Sequence, residues 1–253
     1  MIGKFKPQFW PTVVTVPAIL IMLGLGIWQV QRLMWKNALI ADITARVEAP
    51  VADLPAGKID PEALNYRHVR LRGVFDHDKE IYLVAHSLRG NLGYHILTPM
   101  RLTDGRWVIV NRGWVPQKLR DGASRPEGQL KGIVTLTGVA RKAQKQGWMV
   151  PDNDPAKNTW FYVDPRQIGD ALGLDVLPVV VVADKADIPG TYPLGGQVRI
   201  TIPNNHLSYA ITWFSLALVL AAIYVIWHLR REKDASGQTA GDAAAEKDGA
   251  DGR

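Results

Sequence analysis

Two stretches of this 253-residue chain, 7–31 and 200–227, carry no charged residue, and the chain between them is polar. Within the first, PTVVTVPAILIMLGLGIWQV (11–30) is twenty residues long. At ~1.5 Å per residue a helix of that length crosses ~30 Å of hydrocarbon. Trp10 and Trp28 flank it, where indole rings favour the membrane interface. The second, LSYAITWFSLALVLAAIYVIW (207–227), shows no polar stripe of the kind a buried globular helix carries. It ends in Trp227, His228, Arg230, Arg231 and Lys233, a stop-transfer pattern. Lys4 and Lys6 precede the first stretch as in a signal peptide, but Trp28-Gln29-Val30-Gln31-Arg32 lacks the small residues of a cleavage site. It reads as an uncleaved anchor.

Two spans place both termini on one side. Lys4, Lys6, Arg230, Arg231 and Lys233 lie on the terminal sides, against Arg32, Lys36, Arg46, Lys185 and Arg199 on the loop side. The rule ties. The amino terminus and the cluster after Trp227 favour cytoplasmic termini. The expected organisation is a cytoplasmic segment (1–10), a span (11–30), an extramembrane domain (31–199), an interface segment (200–206), a second span (207–227) and a cytoplasmic, disordered tail (228–253).

The domain reads as mainly antiparallel β structure with short helices. Residues 32–48 continue helically, with Leu33, Leu39 or Ile40, Ile43 and Val47 on one face until Pro50, Pro55 and Pro61. Strand-like runs follow at 69–75, 81–84, 94–102, 107–114, 133–139, 160–163, 179–182 and 198–202. Thr103-Asp104-Gly105-Arg106 is a hairpin turn. Residues 165–172 read as a helix with Asp164 as N-cap, Pro165 in first position and Gly173 at the stop. The Ala/Gly/Asp-rich segment 235–253 reads as disordered.

Composition narrows the chemistry. Zero cysteines exclude disulfides, Cys-ligated zinc, iron–sulfur clusters, c-type haem attachment and a CxxxC copper carrier. Of the net charge of +6, residues 31–199 hold a surplus of only five, too little for a nucleic-acid footprint. Arg141–Lys145 reads as a solvated turn. No G-x-S-x-G, H-E-x-x-H, Walker A or strand-linked G-x-G-x-x-G is present, so the chain does not read as an enzyme. His68, His77, His86 and His95 recur every nine residues, which alternates their facing along strands, and Asp76-His77-Asp78 reads as a solvated turn.

His206 differs, standing just inside the outer boundary of the second span. It is either an interfacial histidine that wets its ring or an axial ligand for haem, whose iron takes a neutral imidazole. On a helix it shares a face with Tyr209 or Ala210, Trp213 and Ala217. An antiparallel hairpin brings Gly24, Gly26 and Trp28 level with it, and Arg199 could meet a carboxylate edge of such a ligand or simply snorkel.

PNNHLSYAITWFSLA (203–217) and GIWQVQRLMWKNALI (26–40) resemble the two span motifs of the Surfeit locus protein 1 family. GYHILTPM (93–100) and VIVNRGWVP (108–116), with Asn111-Arg112-Gly113-Trp114, are similar to its central motifs. The resemblance implies a membrane-bound, non-enzymatic assembly factor for haem–copper cytochrome c oxidase, with its β domain in the periplasm or intermembrane space. It implies transient binding of haem a through His206, with Tyr209, Trp213, Gly24, Trp28 and Arg199 around it. Delivery to oxidase subunit I is expected, with haem A synthase as a further partner, in contact with membrane lipid and not with nucleic acid. Residues 1–10 do not resemble a mitochondrial presequence, so the bacterial inner membrane is the expected address. The alternative is a scaffold that stabilises a subunit I intermediate without haem, with 111–114 and strand edges as its contacts.

Overall fold

A computed structural model describes residues 7–88, 90–186, 191–196 and 203–250, with only the backbone described at 85–87 and 231–250. The chain divides into two compact units, Met1–Ile40 with Ile202–Arg253, and Ala41–Thr201.

The first unit pairs helix α1 (Phe9–Glu48) with helix α4 (His206–Ala250). Both contain apolar windows long enough to cross a membrane. The expected span 11–30 and helix 32–48 are one continuous α1. On α4, Ala210 and Ala217 are buried, as are Gly26 and Gln29 on α1. The seven-residue interval is that of knobs-into-holes packing along one seam. Polar pairs run along the antiparallel seam: Gln8 N donates to His228 Nε2 (3.2 Å), Thr12 Oγ1 meets Tyr224 Oη (2.5 Å), and Asn204 Nδ2 donates to Asn37 Oδ1 (2.8 Å). A Cβ at Gly26 would lie 2.7 Å from the Phe214 ring, so that glycine permits the close approach. The α4 backbone continues past Trp227 to Ala250, where composition favoured disorder. Ala, Glu and Lys are strong helix formers, and extending an existing helix needs no new nucleus.

The second unit holds α2 (Pro61–Leu64), α3 (Pro165–Leu172) and seven strands: β1 (Ala52–Asp53), β2 (His68–Phe75), β3 (Ile81–Leu88), β4 (Asn91–Leu102), β5 (Trp107–Pro116), β6 (Val134–Lys142) and β7 (Val176–Ala183). Hydrogen-bonded neighbours run β1-β2-β6-β7-β5-β4-β3, and β2 also pairs with β4. That extra pairing closes β2, β6, β7, β5 and β4 into a ring, a small barrel with β1 and β3 attached outside it. Pairing is mainly antiparallel, as expected, but β1–β2 and β5–β7 are parallel. The seam between β2 and β4 closes at Gly73, opposite Leu102, where a Cβ would come within 2.3 Å of the Arg101 carbonyl oxygen.

Alternation along the strands separates two cores. Val69, Leu71, Phe75, Met100, Leu102, Val108, Val110, Ala140 and Val181 form one cluster. Residues of opposite parity, including Leu97, Ile109 and Val180, pack with Trp160, Val163 and Ile168 of α3. α3 begins as expected: the Asp164 carboxylate accepts from Arg166 N at 3.0 Å, and Gly173 adopts the left-handed conformation that ends it. Residues 160–163 are not a strand; Trp160 makes a single bridge to Leu83. The run expected at 198–202 lies outside the described residues.

Candidate functional site

His206 is the first residue of α4, and its ring turns toward α1. Its Nδ1 stands 2.7 Å from Gln29 Oε1. The amide oxygen only accepts, so in the neutral imidazole Nδ1 carries the proton and Nε2 keeps its lone pair. A histidine so held presents one nitrogen ready for iron, with its orientation fixed by the other. The partner of this nitrogen is Gln29 of the other helix, not a neighbour on α4. The signal was present: Gln29 is an amide inside an uncharged span, where polar groups need partners.

The other expected site residues divide by face. Trp213, seven residues after His206, is half-buried on the same side of α4. Tyr209 and Trp28 flank the seam, each more than half exposed. Gly24 lies about 200° around α1 from Gly26, off the seam, and no atom approaches within 4 Å of where its Cβ would be. Arg199 lies outside the described residues. Ala210 and Ala217, on the same face as His206, are buried in the seam.

Asn111-Arg112-Gly113-Trp114 forms a second centre, in the barrel unit. Ile96 pairs with Gly113 and Leu97 with Asn111, so Arg112 is the extra residue of a β-bulge. Gly113 has φ of 118°, and a Cβ there would meet the Leu194 carbonyl at 2.0 Å, so only glycine serves. The bulge turns Arg112 inward, 2% exposed. Its Nη1 donates to Glu80 Oε1 (3.2 Å), its Nη2 to Gly128 O, and its guanidinium lies 4.9 Å from the Phe75 ring centroid. Arg125 also binds Glu80, through Nη1 to Oε1 (3.3 Å) and through Nη2 to Oε2. His77 Nε2 reaches Leu130 O (2.9 Å) and its Nδ1 lies 3.4 Å from Glu80 Oε1. The reading of Asp76-His77-Asp78 as a solvated turn is therefore corrected at His77: the segment is a turn and Asp78 is exposed, but Glu80, three residues on, and Leu130 O draw the His77 ring against a buried ion network.

Burial alone would push the Glu80 pKa up, but hydrogen bonds from His77 and Arg125 and the charges of Arg125 and Arg112 outweigh it and hold it below the usual 4.5. Burial pulls Arg112 down to about 10 against the opposing pull of Glu80. Arg112, Arg125 and His77 all meet acceptors within the fold, so the network acts as a clasp. Arg112 and Trp114 are both buried, which removes them from any docking surface. His68 and His95 are also engaged, His68 Nε2 with Asp184 Oδ2 (2.5 Å) and His95 Nδ1 with Asn111 (3.2 Å to Oδ1). Among the described residues no group of three His, Cys, Asp or Glu side chains could hold a metal ion.

Taken together, this is a closed β-barrel domain whose chain continues at both ends into apolar helices that pair with each other, with one histidine ring held by a glutamine at the start of the returning helix. The chain belongs to the SURF1 family: the family's sequence profile matches residues 16–218, from within the first apolar helix into the second. Surfeit locus protein 1 of Homo sapiens is 38% identical over 221 residues, covering 81% of this chain and 72% of that protein. That of Mus musculus is 36% identical over 223 residues, covering 82% and 72%. The SURF1-like protein of Drosophila melanogaster is 38% identical over 243 residues, covering 89% and 78%.

Proposed function

We propose that this chain is a membrane-anchored assembly factor for a haem–copper cytochrome c oxidase, which binds haem a through His206 and hands it to oxidase subunit I. The observation that carries the reading is the contact of His206 Nδ1 with Gln29 Oε1, because it leaves Nε2 as a neutral donor of the kind haem iron accepts. The donor set fits the group: a single imidazole supplies one axial bond, and the indole of Trp213, with Trp28 and Tyr209 on the flanks, supplies apolar and aromatic surface for the macrocycle. Haem is cargo here, and one protein ligand suits release better than two. Arg199 would meet its carboxylate edge. α1 and α4 span the bilayer, the termini lie in the cytoplasm and the barrel in the periplasm of a bacterial inner membrane, where haem A synthase is the expected donor. The protein carries out no chemical conversion of its own.

The reading is tested in cells. With His206→Ala in place of the wild-type chain, subunit I should accumulate with reduced haem a while the variant remains inserted at normal levels. Fully haemylated oxidase with that variant would favour a scaffold that never touches haem.

A further inference from the structure

The turn that follows β6 displays two large apolar side chains to solvent. Trp148 is 92% exposed and Met149 74%. The turn is held, not loose. Val150 N donates to Gly147 O (3.0 Å), and Gln146 Nε2 donates to Val150 O (2.9 Å) and to Asp152 Oδ1 (3.0 Å). Both arms are tied to the domain. Gln144 N donates to Val163 O (2.9 Å) on one side; on the other, Asn153 Oδ1 accepts from Phe161 N (2.8 Å) and Asn153 Nδ2 donates to Gln167 Oε1 (2.7 Å). A rigid turn that keeps a tryptophan and a methionine out in water is costly unless something covers them.

The distribution of tryptophan points to the cover. Among the nine tryptophans, the others exposed by more than a third (Trp10, Trp28, Trp35 and Trp227) all lie on the apolar helices α1 and α4. In the barrel unit Trp114 and Trp160 are buried and Trp107 is half-buried. Trp148 is thus the one domain tryptophan displayed in the manner of the span-flanking ones, whose rings belong at the lipid interface. Arg141 and Lys145 lie on the arm leading to it, the charge that anionic headgroups attract, while Lys142 pairs with Glu62. A two-residue tip is too small to hold a free protein on a bilayer. Here both ends of the domain continue into the apolar helices, so the membrane is present at high effective concentration and a weak contact suffices.

We propose that the Trp148–Met149 turn is a membrane-interface anchor, which dips into the headgroup region and fixes the orientation of the tethered barrel on the lipid surface. The proposal rests on the reading of α1 and α4 as spans. The natural chain has no cysteine, so single labels can be introduced one at a time. The full-length chain is prepared as Met149→Cys, Asp104→Cys and Leu20→Cys, each carrying an environment-sensitive fluorophore, in nanodiscs of phosphatidylcholine and phosphatidylglycerol. The label at 149 should shift to shorter wavelength and lose intensity when nitroxide-bearing lipid is included, and the shift should shrink in a Trp148→Ser background. The label at 104 should respond to aqueous iodide only. Leu20, exposed on α1, reports the span itself. Lipid quenching at 20 with a water-like, unquenched signal at 149 overturns the anchor alone and assigns the turn to a protein partner. Loss of lipid quenching at both positions overturns the spanning reading and the anchor with it.

Discussion

His206 Nδ1 lies 2.7 Å from Gln29 Oε1, a contact between residues 177 positions apart that joins the start of the returning helix to the outgoing one. Removing the acceptor should leave the helices paired but free the ring. Gln29→Leu is expected to weaken haem binding about 10–100-fold, the usual cost of losing the partner of a ligating histidine. Gln29→Glu, which still accepts from Nδ1, should retain most of it. Haem titration of the purified chain in detergent checks both, and equal affinity in all three proteins would remove Gln29 from the site.

Arg112, Arg125 and Glu80 are buried together, so removing Glu80 leaves two guanidinium groups without their countercharge, and removing Arg112 takes a charged donor from Glu80 and the donor from Gly128 O. Arg112→Ala or Glu80→Gln should destabilise the barrel by about 3–5 kcal/mol. Arg112→Lys should not rescue it, because an ammonium cannot serve Glu80 and Gly128 O from one planar fork. Chemical denaturation monitored by tryptophan fluorescence gives the difference. Near-wild-type stability would show the network to be dispensable.

The same network sets an acid limit. Glu80 has its pKa held below 4.5 in the fold, so its ionised form contributes stability that is fully present above 4.5. That contribution falls as the pH drops below 4.5 through the lowered folded value. The gap between wild type and Glu80→Gln should therefore be widest near neutrality and should narrow in acid. Thermal unfolding midpoints measured across that range would show it, and a constant gap would contradict the assignment.

Closure of the barrel depends on Gly73, where the methyl of alanine would stand 2.3 Å from the Arg101 carbonyl oxygen. Backbone rather than side chain is in the way, so the strands must part. Gly73→Ala should cost about 3 kcal/mol or more, in the range of severe core disruption. Gly24→Ala, with open space beside it in a helix, should be neutral or slightly stabilising. Comparable midpoints for the two variants would argue against a closed ring.

What could be read from the chain follows from the range of the forces involved. The two apolar helices, the 103–106 turn and the capped helix Pro165–Leu172 are local, set by residues within one or two turns of each other, and all three formed as expected. Ring closure through β2–β4 and the parallel β5–β7 pair join distant segments, and no local pattern announces them. His77 looked solvated because its neighbours are Asp76 and Asp78; its contacts with Arg112 and Leu130 O come from far along the chain. His206 stood out as an ionisable group at a span boundary, whereas Gln29 passed as one more polar residue, since a side chain's partner across a helix pair is not written beside it.

The most direct measurement is the absorption spectrum of the full chain purified in detergent from cells that make haem A, with wild type and His206→Ala prepared side by side. The wild type should carry haem a, identified by its pyridine haemochrome, and the variant should be folded and lack it. Equal haem in both proteins would contradict the account.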